Sequence, residues 1–123
     1  MICRRVGFTG LNRLFGRVKT FIDIIGASGA TYRFQRIDDP AKAPATAGNF
    51  VFARLSGDGD EVVCCGSARN LERSVAVWGA DIDQGETQGI FVRLNVTRTV
   101  RMHEHDDIVE KHRPELVLVD DDW

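Results

Sequence analysis

The side chains of this 123-residue chain that could do chemistry fall into four groups. His103-Glu104-His105 and His112 are close enough in sequence to suggest a metal. Cys3, Cys64 and Cys65 offer thiols, Asp58 and Asp60 offer carboxylates in a glycine-rich turn, and Arg69, Arg73, Arg98 and Arg101 offer positive charge for phosphate. The histidines lack the H-E-x-x-H spacing that sets two imidazoles on one helical face around zinc, because Asp106-Asp107 follows His105. His105 and His112 instead flank Ile108 and Val109 on a helix, which reads as a pair of partly buried histidines beside a core stripe. No resident metal is expected. An odd number of cysteines without C-x-x-C spacing fits free thiols in a reducing compartment better than a disulfide framework or a zinc ribbon. Ser56-Gly57-Asp58-Gly59-Asp60 has the composition of a tight turn and none of the remaining ligands of a calcium loop.

The arginines are the one group whose chemistry needs no further partner, since a phosphate backbone asks only for exposed positive charge. They share their neighbourhood with Asp106, Asp107 and Glu110, so a nucleic-acid surface built on them is local rather than continuous. The net charge of −2 conceals an asymmetry. Residues 1–36 carry seven Lys/Arg against Asp23, or +6, leaving −8 for the remainder. Such a chain can meet an anion on one side only, and the expected partner is a nucleic acid or another protein.

The elements that must position these residues form one domain over 1–123. Leu11, Leu14, Phe15, Val18, Ile22 and Ile25 recur every three or four residues and predict an amphipathic helix ending near Gly26. Arg13, Arg17, Lys19 and Asp23 interrupt it, which excludes a membrane span and a secretory leader, so a cytoplasmic location is expected. Thr31 to Ile37 predicts a strand, and residues 38–48 a loop around Pro40 and Pro44. Phe50 to Leu55 and Glu61 to Cys65 predict a hairpin, followed by a helix with Ser67 as N-cap and Ala68, Leu71, Val75 and Trp78 on one face. Gly79 stops that helix, and Gly85 and Gly89 bracket a turn. The alternation of Ile90, Val92, Leu94 and Val96 predicts a third core strand, with a helix over 101–112 ended by Pro114 and a short last strand at Leu116 to Val119. The acidic end 120–123 reads as a frayed tail. The fold class is α/β in the α+β sense, a small antiparallel or mixed sheet flanked by helices.

Within this order, Gly48-Asn49-Phe50 opens one strand, and Cys64-Cys65-Gly66-Ser67-Ala68-Arg69-Asn70-Leu71 closes the next and leads into a helix. Ile108-Val109-Glu110-Lys111-His112-Arg113-Pro114 closes a later helix. Over residues 48–117 these segments resemble the GIY-YIG nuclease domain, in which a Gly-x-Tyr strand, a Tyr-x-Gly strand, a helix with an essential arginine and a later helix with a metal-binding glutamate follow one another. Residues 1–37 would be an added helix and strand. The resemblance places the two tyrosine positions on Phe50 and Cys64, the arginine on Ser74 and the glutamate on His105, and it implies that the four line one groove.

None of the four can perform the chemistry the resemblance implies, in which a phenol helps deprotonate water, a carboxylate holds a divalent cation and a guanidinium stabilises charge on phosphate. Phe50 has no proton to move, a thiol at Cys64 among apolar strand residues is inert, and His105 alone is a poor ligand for magnesium. The expectation is a non-catalytic binding or assembly module that associates with nucleic acid. A divergent nuclease using magnesium or manganese, with its site moved to Tyr32, Arg73 and Glu104, is the alternative. A further alternative is an unrelated small α/β interaction domain. Neither non-catalytic reading calls for a cofactor.

Overall fold

A computed structural model describes residues 20–57, 59–79 and 88–120. Six strands form one mixed sheet: β1 (Phe21–Ile25), β2 (Thr31–Ile37), β3 (Gly48–Arg54), β4 (Glu61–Ala68), β5 (Gln88–Leu94) and β6 (Leu116–Asp120), in the spatial order β1-β2-β5-β3-β4-β6. All neighbours are antiparallel except β4 and β6, which run parallel. Helix α1 (Leu71–Trp78) follows β4, helix α2 (Arg98–His112) follows β5, and a single 3-10 turn occupies Pro40–Lys42. This is the α+β class expected, a small mixed sheet flanked by helices. Among the described residues no helix is long and apolar enough to cross a membrane.

The helices take opposite faces of the sheet. Because side chains alternate along a strand, Phe50, Phe52 and Cys64 point to the same side as Ile90 and Val92 and pack against Leu71 and Val75 of α1. Val51, Ala53, Cys65 and Phe91 point the other way, where Ile22, Ile24, Tyr32 and Phe34 extend the layer and Ile108 of α2 closes it. Two glycines permit the α1 side to close. A Cβ on Gly66 would enter the Phe50 ring, and one on Gly48 would meet the Arg93 carbonyl and the Leu71 side chain.

Two sequence expectations are corrected. Residues 21–25 are not the end of a helix but the edge strand β1, in register with β2 from Phe21 opposite Gln35 to Ile25 opposite Thr31. Ile22 and Ile24 are buried while Phe21, Asp23 and Ile25 face outward, a period of two. Pairing with β2 supplies backbone partners that outweigh the helical spacing, and the Ile-rich segment favours a strand in any case. The earlier part of that predicted helix, residues 11–19, lies outside the described residues, as do Cys3, Gly85 and the tail 121–123. The second correction is at α1. Ser67 is buried inside β4, which runs on to Ala68, and the N-cap is Asn70, whose side chain accepts from the Arg73 amide. Trp78 is exposed at the far end of α1 rather than on its packed face.

Helix α2 begins three residues earlier than expected and ends at His112, capped by Arg113, whose φ of 45° is left-handed, just before Pro114. Its buried residues are Arg101, His105 and Ile108, spaced by four and three. The helix thus presents a largely polar face to the sheet, and the candidate site lies beneath it.

Candidate functional site

Beneath α2 the sheet carries polar residues where a core would ordinarily be apolar. Asn49 of β3 and Arg93 of β5 are cross-strand partners on the α2 side, and Asn95 follows just beyond β5. Glu104 reaches down from α2. Its Oε1 accepts from Arg93 Nε at 2.8 Å and from Asn95 Nδ2 at 2.9 Å. Asn95 Nδ2 also donates to Asn49 Oδ1 at 2.9 Å, and Asn49 Nδ2 donates to the Arg101 carbonyl at 3.1 Å. Arg101, only 2% exposed, donates through Nη1 to the carbonyls of Asn95 at 3.1 Å and Val96 at 3.0 Å. The first turns of α2 are therefore tied to the ends of β3 and β5 through groups that would be costly to bury unpaired.

The same layer continues to the β1–β2 turn. Arg93 lies over the Tyr32 ring at 5.5 Å and donates from Nη1 to the Arg33 carbonyl at 3.3 Å. Tyr32 gives its hydroxyl proton to Asp107 Oδ2 at 2.7 Å, and Ser28 donates to Asp107 twice, from its amide at 2.9 Å and its hydroxyl at 2.7 Å. Gly26 is required here because a Cβ would run into the Asp107 carboxylate. Hydrogen bonds from Ser28 and then Tyr32 hold Asp107 below the usual carboxylate range, while burial and the hydrogen bond to Asp107 raise Tyr32 above the usual phenol range.

The sign of the resulting pH dependence follows from these directions. An acid whose folded-state pKa is lowered stabilises the fold above its unfolded value, here about pH 4, and loses that contribution as pH falls through the folded value. Asp107→Asn is expected to lower the stability at neutral pH and to flatten its decline below about pH 4, as read from chemical denaturation at a series of pH values. Asp23, held low by its hydrogen bond and ion pair with Arg33, keeps part of the acid limb in that variant. An acid limb unchanged by the substitution would show that Asp107 does not tie the turn to α2.

The positions named by the resemblance do not share a groove. Phe50, Cys64 and Ser74 are all buried, with Phe50 and Cys64 in the layer beneath α1 and Ser74 on α1 itself. His105 is buried on the opposite face, its Nδ1 3.6 Å from Cys65 Sγ. The sheet separates the two sets because Cys64 and Cys65, adjacent in a strand, must point to opposite sides. Burial raises both thiols to about 12, so neither is a nucleophile at neutral pH.

Of the relocated set, Tyr32 and Glu104 do come together, with the Arg93 guanidinium touching both. Arg73 does not join them. It is exposed on α1, across the sheet, and Arg93 holds the place beside Glu104. The donor set does not fit magnesium or manganese. Glu104 Oε1 is already shared by Arg93 and Asn95, both Asp107 oxygens accept from Ser28 or Tyr32, and the Arg93 cation adjoins the one carboxylate that would bind. Among the described residues no group of three His, Cys, Asp or Glu is arranged to hold a metal. His112 uses Nε2 to meet the Ile25 carbonyl at 2.8 Å, and His103 is exposed.

Arg69, Arg73 and Arg98 are exposed, whereas Arg101, grouped with them from sequence, is sealed in the network and unable to meet a ligand. Sequence reading missed Arg93, Asn49, Asn95 and Asp107. Asparagine within or beside strands was the available signal, since it is poorly suited to a strand unless its amide has specific partners. Compared with known proteins, the chain matches no family model and no curated protein.

Proposed function

We propose that this chain is a non-catalytic module that binds nucleic acid through backbone phosphates, using Arg69, Arg73 and Arg98. The observation that carries this reading is where the three exposed arginines lie. Strand β3 is antiparallel to both β4 and β5, with Gly48 opposite Ala68 and Leu94, so the β4–α1 and β5–α2 junctions fall at one end of the sheet. Arg69 is in the first junction, Arg73 in the opening turn of α1, and Arg98 at the start of α2. The first turn of α2 contains no acidic residue, and its dipole adds positive potential there. The phosphate contacts this geometry favours are sequence-independent.

The reading does not depend on the resemblance to GIY-YIG domains. The strand-strand-helix-strand-helix order from Gly48 to His112 supports that resemblance, while the two-sided distribution of Phe50, Cys64, Ser74 and His105 weighs against a shared catalytic groove. The commitment of Glu104 and Asp107 to internal donors supports binding over cleavage.

The test is the salt dependence of association with a short DNA duplex. Each phosphate contact contributes a slope of roughly −0.9 in log K against log salt, so Arg69→Ala/Arg73→Ala/Arg98→Ala should reduce the slope by about 2 to 3. These side chains are exposed, so the melting transition should barely move. An unchanged slope, or no salt-dependent association of the intact chain, would remove nucleic acid as the partner and favour a protein.

A further inference from the structure

Helix α1 covers only part of its face of the sheet. Over β1, β2 and β5 that face holds an open cavity of about 390 Å³, with Phe21, Arg33, Gln35 and Lys42 among its walls. Its volume is in the range of small-ligand pockets. Two features make it more than an uncovered patch. Its uncommitted cation is Lys42, since Arg33 pairs with Asp23 and Arg93 with Glu104. The Arg33 guanidinium lies 5.6 Å from the centroid of the Phe21 ring and is held by Asp23 through bonds of 2.9 and 3.2 Å. Phe21 itself is 47% exposed, an aromatic ring presented to solvent on an edge strand.

Lys42 sits in the 3-10 turn, whose backbone is fixed where Asp39 accepts from the Ala41 amide and the Lys42 amide meets the Asp39 carbonyl at 2.8 Å. It forms no ion pair among the described residues. Between these walls, Ile37, Val92 and Leu94 give an apolar floor, and Gln35 offers both a donor and an acceptor.

From this arrangement we infer that the open face binds a nucleotide unit: a planar base stacked on Phe21 over the apolar floor, its edge read by Gln35 and its phosphate taken by Lys42. An aromatic ring beside basic residues on an open sheet is the physical recipe for unpaired nucleotides, since every base has a face to stack and a phosphate to neutralise. A base inside a duplex cannot stack in this way. The site stands apart from the proposed duplex contacts, because none of Arg69, Arg73 and Arg98 lines it.

The source of the nucleotide, a single strand or a free mononucleotide, is separated by the probes. The full chain is titrated with a fluorescent oligothymidylate hexamer, with thymidine monophosphate, and with inorganic phosphate, alongside Phe21→Ala, Phe21→Tyr and Lys42→Gln. The hexamer is expected to bind, Phe21→Ala to weaken it by about tenfold, Phe21→Tyr to restore it, and Lys42→Gln to weaken it while lowering its salt dependence. Binding of the hexamer alone assigns a strand, and comparable binding of the monophosphate assigns a free nucleotide. Phe21→Ala binding as well as the parent, inorganic phosphate competing as well as the nucleotides, or no association with either nucleotide probe would overturn the inference. The duplex titration with the arginine variant is a separate readout, so either result can fail without the other.

Discussion

Replacing Arg101 with alanine is expected to cost about 3 kcal/mol or more of folding stability, while Arg98→Ala, three residues earlier on the same helix, should stay within about 0.5 kcal/mol. The contrast comes from burial. Arg101 places its guanidinium against the Asn95 and Val96 carbonyls beneath α2, and truncation removes both bonds and opens a void beside the Asn49 side chain, which is held by the Arg101 backbone. Arg98 is exposed. Denaturant titrations of the two variants read the difference directly. Nucleic-acid affinity should follow the opposite order, lower for Arg98→Ala than for Arg101→Ala under conditions where both are folded. If Arg101→Ala were as stable as the parent and bound nucleic acid more weakly, Arg101 would be a ligand-facing residue and the network beneath α2 would not anchor the helix.

Gly66→Ala is expected to cost about 2 to 3 kcal/mol. The new methyl group would occupy the space of the Phe50 ring. That ring is fully buried under α1 and meets Phe52 at a centroid distance of 5.5 Å with the planes tilted by 40°, so it has no vacant side to move into. Alanine itself is tolerated in a strand, and Gly66 has no positive φ, so the cost is steric rather than conformational. A double-mutant cycle separates the two. Phe50→Leu destabilises the parent by removing buried surface, but in the Gly66→Ala background it should cost less, because the smaller side chain yields room. Additive effects would place the strain elsewhere in β4.

These two residues show how unevenly the sequence exposed its structure. Thr31 to Ile37 is legible because its alternation and its flanking turns agree, and the hairpin of β3 and β4 because two apolar runs flank a glycine-rich turn, but β5 is legible only in part, since it ends at Leu94, and Leu94 and Val96, expected in the core, are 62% and 71% exposed. The Gly48 and Gly66 positions stand out in sequence as motif glycines, but their physical reason appears only when Leu71 and Phe50 are seen packing over them. Helix α2 is the opposite case. Apolar periodicity offers Ile108 as the one fully buried hydrophobic of α2, with Val109 partly buried beside it, since the other two buried positions are Arg101 and His105, and no local pattern distinguishes an arginine that caps strand-end carbonyls from one that faces solvent. The pairing of Arg93 with Glu104 joins residues on a strand and the following helix across a fold that spacing does not reveal. The edge strand β1 was hidden by a different accident, a spacing of Ile22 and Ile25 that suits a helix as well as the true alternation of Ile22 and Ile24 suits a strand.

The network beneath α2 bears most directly on function. Tyr32, Arg93 and Glu104 bring together the residue types that a phosphodiesterase would use, yet each is spent on another protein group. Tyr32 donates to Asp107 and is shifted away from ionisation, and Glu104 accepts from Arg93 and Asn95. The arrangement holds a helix onto a sheet, and phosphate contact falls, on the proposed reading, to Arg69, Arg73 and Arg98 at the sheet's end. The measurement that tests this most directly is incubation of the purified full chain with supercoiled plasmid in low salt, with magnesium or manganese, followed on one gel for retardation and for nicking. Retardation is expected, with the plasmid remaining supercoiled. Nicked or linear plasmid that disappears with Glu104→Ala would contradict it and assign the network beneath α2 as an active site.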